Sequence, residues 1–438
     1  MIQNKSMINS FRYIFLLYIS VIVLFAFFYM IPISHNGSIS FVNSLFLSTS
    51  ALSVTGLTTI NISENLSKIG QVFLIFEMQL GGLGILVLIS YLFLMMGKRI
   101  TMSNMLLISR DQNQSNLKTI KSLSFSVLII ALMVESVCSL IVFGEIRKNY
   151  DTNSEALFVT IFHSVASFTN SGFDLFGDSL HSYQQNPIVL YSTAATIFLG
   201  SIGFPTIMEY IFSFRKRKSL FTKINIRLHT SFLLIGSVVY FLLEYDKIFH
   251  HLSVEDKISN SVFLAATNRS AGFTTVDISS LTITTVLIIM FLMFIGGASS
   301  STGGGIRLTT FRVIFAKMLA VVKSQEHTVI GKKAITQEAI NKSFFIFISF
   351  ILLAFFSTIL LTIFENFRIE RIAFEVLSAL TNTGLTMGIT SELSIVSKFI
   401  LILLMIIGRI GIFTLIYFVF KIDDRSKTRY LKEDLAVG

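Results

Sequence analysis

A short polar pattern that ends in glycine occurs four times in this chain, each time within apolar sequence. The four copies, which we call the polar-glycine segments, are Ser53-Val54-Thr55-Gly56-Leu57, Thr169-Asn170-Ser171-Gly172-Phe173, Arg269-Ser270-Ala271-Gly272-Phe273 and Thr381-Asn382-Thr383-Gly384-Leu385. Polar backbone is tolerated at membrane depth only where protein buries it or where it lines a water-filled path, because lipid cannot bond to free N–H and C=O groups. Four copies therefore predict one path with four-fold pseudosymmetry.

The composition places the chain in a bilayer. Hydrophobic residues make up 53% of the 438 residues and charged residues 14%, with a mean hydropathy of +0.74. These values exclude a soluble globule with a polar surface. The formal net charge of +10 would suit a nucleic-acid-binding protein. Many of the Lys and Arg residues gather in loops and in the C-terminal tail, however, so they indicate membrane topology and no nucleic-acid partner.

The sequence does not favour an enzyme. Its seven histidines show no H-E-x-x-H spacing, and the chain contains neither a P-loop nor a dinucleotide-binding motif. The single cysteine, Cys138, can form no intrachain disulfide. We expect no catalytic residue and no covalently bound cofactor.

Each polar-glycine segment lies between two apolar segments of membrane-spanning length. The predicted pairs of spans are 11–33 and 70–96, 122–146 and 186–213, 226–246 and 283–320, and 343–366 and 394–420. The predicted fold is therefore an all-α membrane protein with eight spans and four re-entrant pore loops around one central pore. Its four pseudo-symmetric repeats cover 1–97, 98–214, 215–324 and 325–438, the last including the C-terminal tail, within one transmembrane domain.

Charge predicts the orientation of a multi-pass membrane protein. The links between repeats are basic, with Lys98, Arg99, Arg110, Lys118, Lys121, Arg215, Lys216, Arg217, Lys218, Lys223, Lys317, Lys323, Lys332 and Lys333. By the positive-inside rule these links and both termini are cytoplasmic. The opposite side carries Glu64, Asp151, Glu155, Asp174, Asp178, Glu255, Asp256, Asp277, Glu370, Glu375 and Glu392. These acids would concentrate cations at a mouth; alternatively they only keep the outer loops soluble, among the bases Arg147, Lys148, Arg368 and Arg371.

The polar-glycine segments have the chemistry of a selectivity filter. Backbone carbonyls from several loops can replace the hydration shell of a monovalent cation, and glycine lets such strands approach closely. The predicted ion-binding residues are Val54, Thr55, Gly56, Asn170, Ser171, Gly172, Ser270, Ala271, Gly272, Asn382, Thr383 and Gly384. Short helices are expected before them at 40–52, 155–168, 256–267 and 370–380, capped or preceded by Asn43, Ser154, Asp256 or Glu370.

A second glycine pattern lies in the second span of each repeat: Gly81-Gly82-Leu83-Gly84, Gly200-Ser201-Ile202-Gly203, Gly296-Gly297-Ala298-Ser299 and Gly408-Arg409-Ile410-Gly411. Small residues of this kind usually allow close helix packing. In the third repeat the pattern extends to Gly305 and interrupts the span, because each glycine costs a helix about 1 kcal/mol. This glycine-rich loop, residues 296–305, either obstructs the path and moves aside or is a static break. The predicted gate consists of Gly296, Gly297, Ser299, Ser300, Ser301, Thr302, Gly303, Gly304, Gly305 and Arg409.

One arginine and three glutamates lie within or at the ends of predicted spans. Arg409 is an intramembrane charge and hence a candidate functional residue, although pairing with loop carbonyls or a neighbouring acid for packing is the alternative. Glu77, Glu135 and Glu209 are not assigned to transport. For Glu209, a position at the membrane surface near Arg215 and Lys216 is favoured.

These segments resemble those of the Trk/Ktr/HKT superfamily of potassium transporters, and the match to a Ktr-type membrane subunit covers almost the whole chain. The resemblance implies that Gly56, Gly172, Gly272 and Gly384 are the filter glycines of an ion-translocating subunit selective for potassium (K+), and that the glycine-rich loop and Arg409 form its gate. It also implies a homodimer in a bacterial cell membrane, docked on a cytoplasmic ring of nucleotide-binding, Ktr-type regulatory subunits. Sodium (Na+) is left open as a coupling ion or activator.

Three other functions are weighed. Within transport the alternatives are a sodium or ammonium conductor and the potassium-translocating subunit of an ATP-driven pump. A membrane scaffold that transports nothing is disfavoured by the four repeated segments.

Overall fold

The computed structural model describes residues 2–84, 120–212 and 217–419, which are mostly helical. In chain order the α-helices are α1 (Ile2–Met30), α2 (Phe41–Ser53), α3 (Ile62–Asn65), α4 (Lys68–Leu83), α5 (Ile120–Ile146), α6 (Asn153–Thr169), α7 (Pro187–Ser201), α8 (Phe204–Phe212), α9 (Leu220–Glu244), α10 (Val254–Thr267), α11 (Ile283–Phe294), α12 (Leu308–Val322), α13 (Gln337–Phe364), α14 (Ile369–Thr381), α15 (Ile395–Ile410) and α16 (Ile412–Val419). Strands β1 (Val329–Ile330) and β2 (Lys333–Ala334) form a small antiparallel hairpin in which Val329 pairs with Ala334.

Four helices in the described ranges are long and apolar enough to cross a membrane, namely α1, α5, α9 and α13. Each is the first long helix before one polar-glycine segment. Apolar side chains such as Leu140, Leu234 and Ile363 are exposed on them. A helix satisfies its own backbone hydrogen bonds, so lipid can cover these faces without leaving polar groups unpaired.

The second helices of the repeats are shorter than the sequence predicted. The sequence predicted the spans 186–213 and 394–420 without indicating a break, and each is divided at a glycine. Helices α7 and α8 meet at a bend of 97° beside Gly203, and α15 and α16 are separated by Gly411. Helix α4 ends before Gly84. The φ angles of these glycines are 94°, 89° and 92°, a left-handed conformation that glycine adopts without the cost paid by other residues.

Part of the prediction lies outside the described residues. This applies to the second half of the predicted span 70–96, to most of the first basic link, to Arg215 and Lys216, and to the tail from residue 420 onward.

Four short helices, α2, α6, α10 and α14, lie at the centre of the protein. They cover the ranges in which the sequence predicted short segments before each glycine. Their N-caps differ from the expected residues, because the side chains of Ser40, Thr152 and Ser253 accept the first backbone N–H bonds, while Arg368 makes no side-chain cap bond before α14. A hydroxyl that can accept such a bond stabilises a helix start.

Large aromatic side chains anchor these short helices. Phe46, Phe162, Phe263 and Phe374 lie on α2, α6, α10 and α14, and all four are fully buried. Burial of an aromatic ring contributes on the order of 2–3 kcal/mol. The short helices are therefore the core, and the long helices surround them.

Candidate ion-conduction site

The four polar-glycine segments meet in a closed ring. Each glycine lies against a backbone carbonyl of the segment that follows it around the ring, so that a Cβ atom added to it would collide with that oxygen. The distances from the added Cβ are 2.2 Å for Gly56 to Ser171, 2.4 Å for Gly172 to Ala271, 3.0 Å for Gly272 to Thr383 and 1.9 Å for Gly384 to Thr55. The last of these contacts joins the fourth segment to the first. Spacing thus excludes a side chain at Gly56, Gly172 and Gly384, and leaves only a tight contact at Gly272.

Three of the segments share one backbone conformation. Val54, Asn170 and Asn382 have φ angles of 59°, 59° and 51° at the ends of their short helices. The next residue bonds back to the helix, for example Thr55 N–H to the Ser50 carbonyl at 2.8 Å. In each of these three segments two hydroxyls also pair: Ser53 with Thr55 at 2.7 Å, Thr169 with Ser171 at 3.2 Å, and Thr381 with Thr383 at 2.8 Å.

The third segment differs from this pattern. Arg269 and Ala271 replace the two hydroxyl-bearing residues, so the internal hydroxyl pair is missing. Ser270 has a φ angle of 134° instead of the left-handed helical value. The ring therefore consists of three similar segments and one that is held by other contacts.

All four glycines line one cavity of about 450 Å³, which we call the vestibule. Three carboxylates also line it, those of Asp174, Asp178 and Asp277. The Asp174 carboxylate accepts a hydrogen bond from Gly177 N–H at 2.8 Å. Burial nevertheless raises the pKa of Asp174 above its ordinary value, and the nearby Asp178 raises it further. The vestibule thus offers negative charge directly beside the ring.

An apolar residue follows each glycine and fixes the outgoing chain. These residues are Leu57, Phe173, Phe273 and Leu385, and each is at most 1% exposed. They were not selected from the sequence as site residues. The signal was present, because Leu or Phe follows the glycine in all four copies.

The glycine-rich loop joins α11 to α12 and closes on itself. Gly296 N–H bonds to the Ile306 carbonyl at 3.0 Å, and Gly297 N–H bonds to the Gly304 carbonyl at 3.2 Å. A Cβ atom on Gly296 would lie 1.9 Å from the Gly304 oxygen. The loop is buried along most of its length.

The same loop is docked on the break between α7 and α8. Ala298 N–H bonds to the Ser201 carbonyl at 3.0 Å and Thr302 N–H to the Gly200 carbonyl at 3.2 Å. In return, Phe204 N–H donates to the Ser300 carbonyl at 2.9 Å. A regular helix through Gly203 would leave no free backbone groups for these bonds, so the bend positions the loop.

Two arginines outside the polar-glycine segments hold the glycine-rich loop. Arg409, in the last turn of α15, donates to the carbonyl of Thr302 and to that of Gly81 in the first repeat. Arg307 donates to the carbonyls of Gly303 and Ala298. Arg409 was predicted as a gate residue from the sequence. Arg307 was not, although a guanidinium two residues after a glycine run is well suited to bind its free carbonyls.

The first glycine of the second pattern has a packing role. A Cβ atom on Gly81, Gly200 or Gly408 would lie 2.2, 2.1 or 2.2 Å from a carbonyl of the short helix in the same repeat. Those carbonyls belong to Leu52, Phe168 and Leu380. The second helix of each of these repeats therefore packs directly on the last turn of a short helix.

Several acids are held by neutral donors. Glu77 contacts the hydroxyls of Tyr29 at 2.7 Å and Ser48 at 2.5 Å, and Glu135 accepts from the Gln79 amide at 2.7 and 2.8 Å. Glu209 accepts from Ser219 N–H at 2.6 Å and so caps α9. Among the described residues, neither the Glu77 nor the Glu135 carboxylate lies within 4 Å of a Lys or Arg nitrogen. Lys218 lies next to Glu209 and donates to its backbone carbonyl at 2.9 Å.

Glu375 was predicted among the acids on the side opposite the basic links, and the structure buries its side chain. It is fully buried on α14. Its carboxylate accepts from Met387 N–H at 3.2 Å, from Thr390 Oγ1 at 3.0 Å and from Thr386. Glu375 thus fixes the chain that leaves the fourth polar-glycine segment.

Comparison with known proteins decides the family. The family model described as TrkH, cation transport protein, matches residues 17–428. The chain belongs to this family. It is 35% identical over 415 residues to Ktr system potassium uptake protein D of Bacillus subtilis, which covers 93% of this chain and 92% of that protein. It is 30% identical over 415 residues to potassium/sodium uptake protein NtpJ of Enterococcus hirae, with 92% of each chain covered.

The fold is also that of a solved member of the TrkH family. The crystal structure of the potassium transporter TrkH from Vibrio parahaemolyticus matches with a TM-score of 0.77 and 20% sequence identity, covering 94% of this chain and 85% of that one. In this TrkH-family chain, the structure brings the residues of all four polar-glycine segments together. It places the glycine-rich loop and Arg409 beside them.

Proposed function

We propose that this chain is the ion-translocating subunit of a potassium uptake system. The observation that carries the proposal is the closed ring of four glycine junctions beside one acidic vestibule. In this proposal the four repeats contribute eight spans and four re-entrant pore loops around a single central pore. The name of the Bacillus subtilis relative supports potassium as the transported ion.

The polar-glycine segments are the selectivity filter in this proposal. Their carbonyl oxygens replace the hydration shell of a K+ ion, as rings of backbone carbonyls do in ion-selective pores. The residues that bind the ion are those between Val54 and Gly56 and their counterparts in the other three segments. The vestibule acids raise the local cation concentration before the ion loses its water.

The glycine-rich loop and Arg409 form the gate. The loop lies beside the ring, and Ser270 of the third segment accepts a bond from Gly304 N–H at 2.8 Å. Arg409 links the loop to the first repeat through carbonyls of Thr302 and Gly81. Breaking these bonds frees one side of the loop, so the loop moves aside more easily and ions pass.

The assembly that we propose is a homodimer in a bacterial cell membrane, docked on a cytoplasmic ring of nucleotide-binding regulatory subunits. The relative's designation as a Ktr system protein supports a multi-subunit system. The basic inter-repeat links and both termini face the cytoplasm in this arrangement. The exposed apolar faces of the long helices contact lipid.

Sodium is the second candidate ion. One relative at 30% identity is named a potassium/sodium uptake protein. Sodium would then be a transported or coupling ion, whereas glycine at all four junctions favours potassium in the filter.

The test is uptake of K+ and Na+ into liposomes that contain the purified protein, measured with and without a regulatory subunit of the Ktr type. We expect K+ uptake to exceed Na+ uptake, and Arg409→Ala to increase K+ uptake without reversing this order. Equal uptake of both ions would contradict the filter assignment. Absence of uptake of either ion, both alone and with the regulatory subunit, would contradict the transport function.

A further inference from the structure

Arg269 is the first residue of the third polar-glycine segment and a buried cation. It occupies the position that Ser53, Thr169 and Thr381 hold in the other segments and is 3% exposed. Its Nη1 atom donates to Nδ1 of His229 at 2.6 Å, and its Nη2 atom donates to the Gly296 carbonyl at 2.8 Å. Among the described residues no carboxylate lies within 4 Å of this guanidinium. Its charge is therefore held by an imidazole, carbonyls and the ring of Phe232.

The contacts of His229 fix its protonation. Nδ1 accepts from the Arg269 guanidinium, which has only donors, so the proton of the ring must be on Nε2. Nε2 then donates to Ser201 Oγ at 3.1 Å, and Ser201 Oγ donates to the Ile197 carbonyl at 2.8 Å. This chain of bonds connects the third segment, through α9, to the end of α7 on which the glycine-rich loop is docked.

Ser270 makes a second connection to the same loop. Its hydroxyl accepts from Gly304 N–H at 2.8 Å and donates to the Asn382 carbonyl of the fourth segment at 3.2 Å. The third segment therefore contacts the glycine-rich loop near both of its ends, at Gly296 through Arg269 and at Gly304 through Ser270. An internal hydroxyl pair holds each of the other three segments, whereas contacts with the glycine-rich loop hold the third.

We propose that Arg269 and Ser270 are positioning residues that couple the third polar-glycine segment to the glycine-rich loop, so that the ion selectivity of the ring depends on these two contacts with the loop. The inference rests on the proposed function, because it assigns the ring to ion selection and the loop to gating. The physical reason is that the third segment lacks its own hydroxyl pair. Its carbonyls are held in register by bonds to an element that can move.

The first test compares Arg269→Lys with Arg307→Lys. A lysine ammonium is a compact charge without the fork of a guanidinium, so it cannot keep the bonds to His229 and Gly296 together. We expect Arg269→Lys to lower the ratio of K+ to Na+ uptake by about tenfold, which corresponds to ~1.4 kcal/mol. Arg307 binds the loop through Gly303 and Ala298. We expect Arg307→Lys to change the rate of K+ uptake and to leave the ratio of K+ to Na+ uptake unchanged.

A second pair of variants, at His229, tests the same contact without substituting Arg269 itself. In His229→Asn the amide oxygen can take the place of Nδ1 as acceptor, whereas His229→Leu removes the acceptor and leaves a buried guanidinium donor unpaired. We expect selectivity to be retained by the asparagine variant and lowered by the leucine variant, with both proteins eluting like wild type in size-exclusion chromatography. Equal selectivity in the two would mean that His229 only fills space, and this would overturn the coupling.

Wild-type selectivity, measured in the same vesicles, separates the two proposals. If wild type takes up K+ in preference to Na+ while Arg269→Lys keeps the same ratio, the coupling is wrong and the proposed function stands. The coupling is also wrong if Arg307→Lys lowers the ratio as much as Arg269→Lys does. If wild type does not discriminate between the ions, the filter assignment fails and the coupling fails with it.

Discussion

At the scale of single residues, the ring depends on the absence of four side chains. Gly384 shows this most clearly, because an added Cβ would lie 1.9 Å from the Thr55 oxygen. Gly388 provides a matched comparison four residues later. Its φ angle of 85° is nearly the same as the 87° of Gly384, yet an added Cβ would meet no atom within 4 Å. Substitutions at these two positions therefore separate the effect of backbone strain from that of steric collision.

We therefore expect Gly384→Ala to lower the K+ to Na+ uptake ratio by about tenfold, and Gly388→Ala to leave it near the wild-type value. Left-handed strain alone costs ~1–3 kcal/mol at either position, so only the collision distinguishes them. Uptake of both ions into liposomes measures the difference. Equal ratios for the two alanine variants would argue against a tight junction between the fourth and first segments.

The hydrogen-bond partners of Glu77 indicate that its carboxyl group carries a proton. Ser48 Oγ lies 2.8 Å from the Ile22 carbonyl, which can only accept, and 2.5 Å from Glu77 Oε1. If the serine proton bonds to Ile22, a proton on Oε1 completes the contact with Ser48. Tyr29 donates to Oε2 at 2.7 Å. A neutral Glu77 satisfies every one of these groups without a cationic partner.

The prediction is that Glu77→Gln keeps the thermal stability of the purified protein within about 1 kcal/mol, because an amide N–H can replace the carboxyl proton. Glu77→Leu should destabilise it by ~2–3 kcal/mol, since it leaves the buried Tyr29 and Ser48 hydroxyls without their partner. Thermal unfolding in detergent measures both variants. A glutamine variant as unstable as the leucine variant would mean that Glu77 is charged in the folded protein.

At the scale of secondary-structure elements, the sequence predicted the features that depend on local sequence pattern. The short helices lie where an apolar stretch precedes a polar-glycine segment, and their bounds were expected to within two residues. The breaks at Gly203 and Gly411 were missed because one glycine in an apolar run costs a helix only ~1 kcal/mol. The sequence also does not reveal whether the φ angle of such a glycine is positive. The contact between Arg269 and His229 was missed because the two residues are 40 positions apart.

The glycine-rich loop leads to a prediction at this scale. Gly296→Ala places a Cβ 1.9 Å from the Gly304 oxygen and should open the closed loop. We expect K+ uptake to rise about threefold or more, the change that ~0.7 kcal/mol lost from the closed state would produce. Gly144→Ala is the control, since Gly144 is a helical glycine with no atom within 4 Å of an added Cβ. A Gly296→Ala protein no faster than this control would contradict a gating role for the loop.

At the scale of the whole molecule, the ring is complete only when the two ends of the chain meet. Asn382 Nδ2 donates to Thr55 Oγ1 at 2.8 Å across 327 positions of sequence. The junction of Gly384 with Thr55 lies beside this bond. No single repeat can form a junction alone, so the ring closes only when all four segments are present.

The charge of the vestibule leads to the last prediction, which concerns pH. Burial raises the pKa of Asp174, so its carboxylate takes up a proton earlier on acidification than a solvent-exposed aspartate would. The vestibule then loses one negative charge beside the ring. As the pH falls from neutral, we expect the KM for K+ to rise, and to be roughly threefold higher once Asp174 is protonated, since a unit charge several ångströms away in water contributes about 0.7 kcal/mol.

Asp174→Asn removes this titration. The variant should show the raised KM already at neutral pH and a flatter dependence on pH than wild type. His181 also lines the vestibule, so His181→Ala is measured alongside as a second variant of a polar vestibule residue. If the KM of Asp174→Asn rises on acidification as steeply as that of wild type, the proton is bound elsewhere. Asp174 would then not set the cation concentration at the ring.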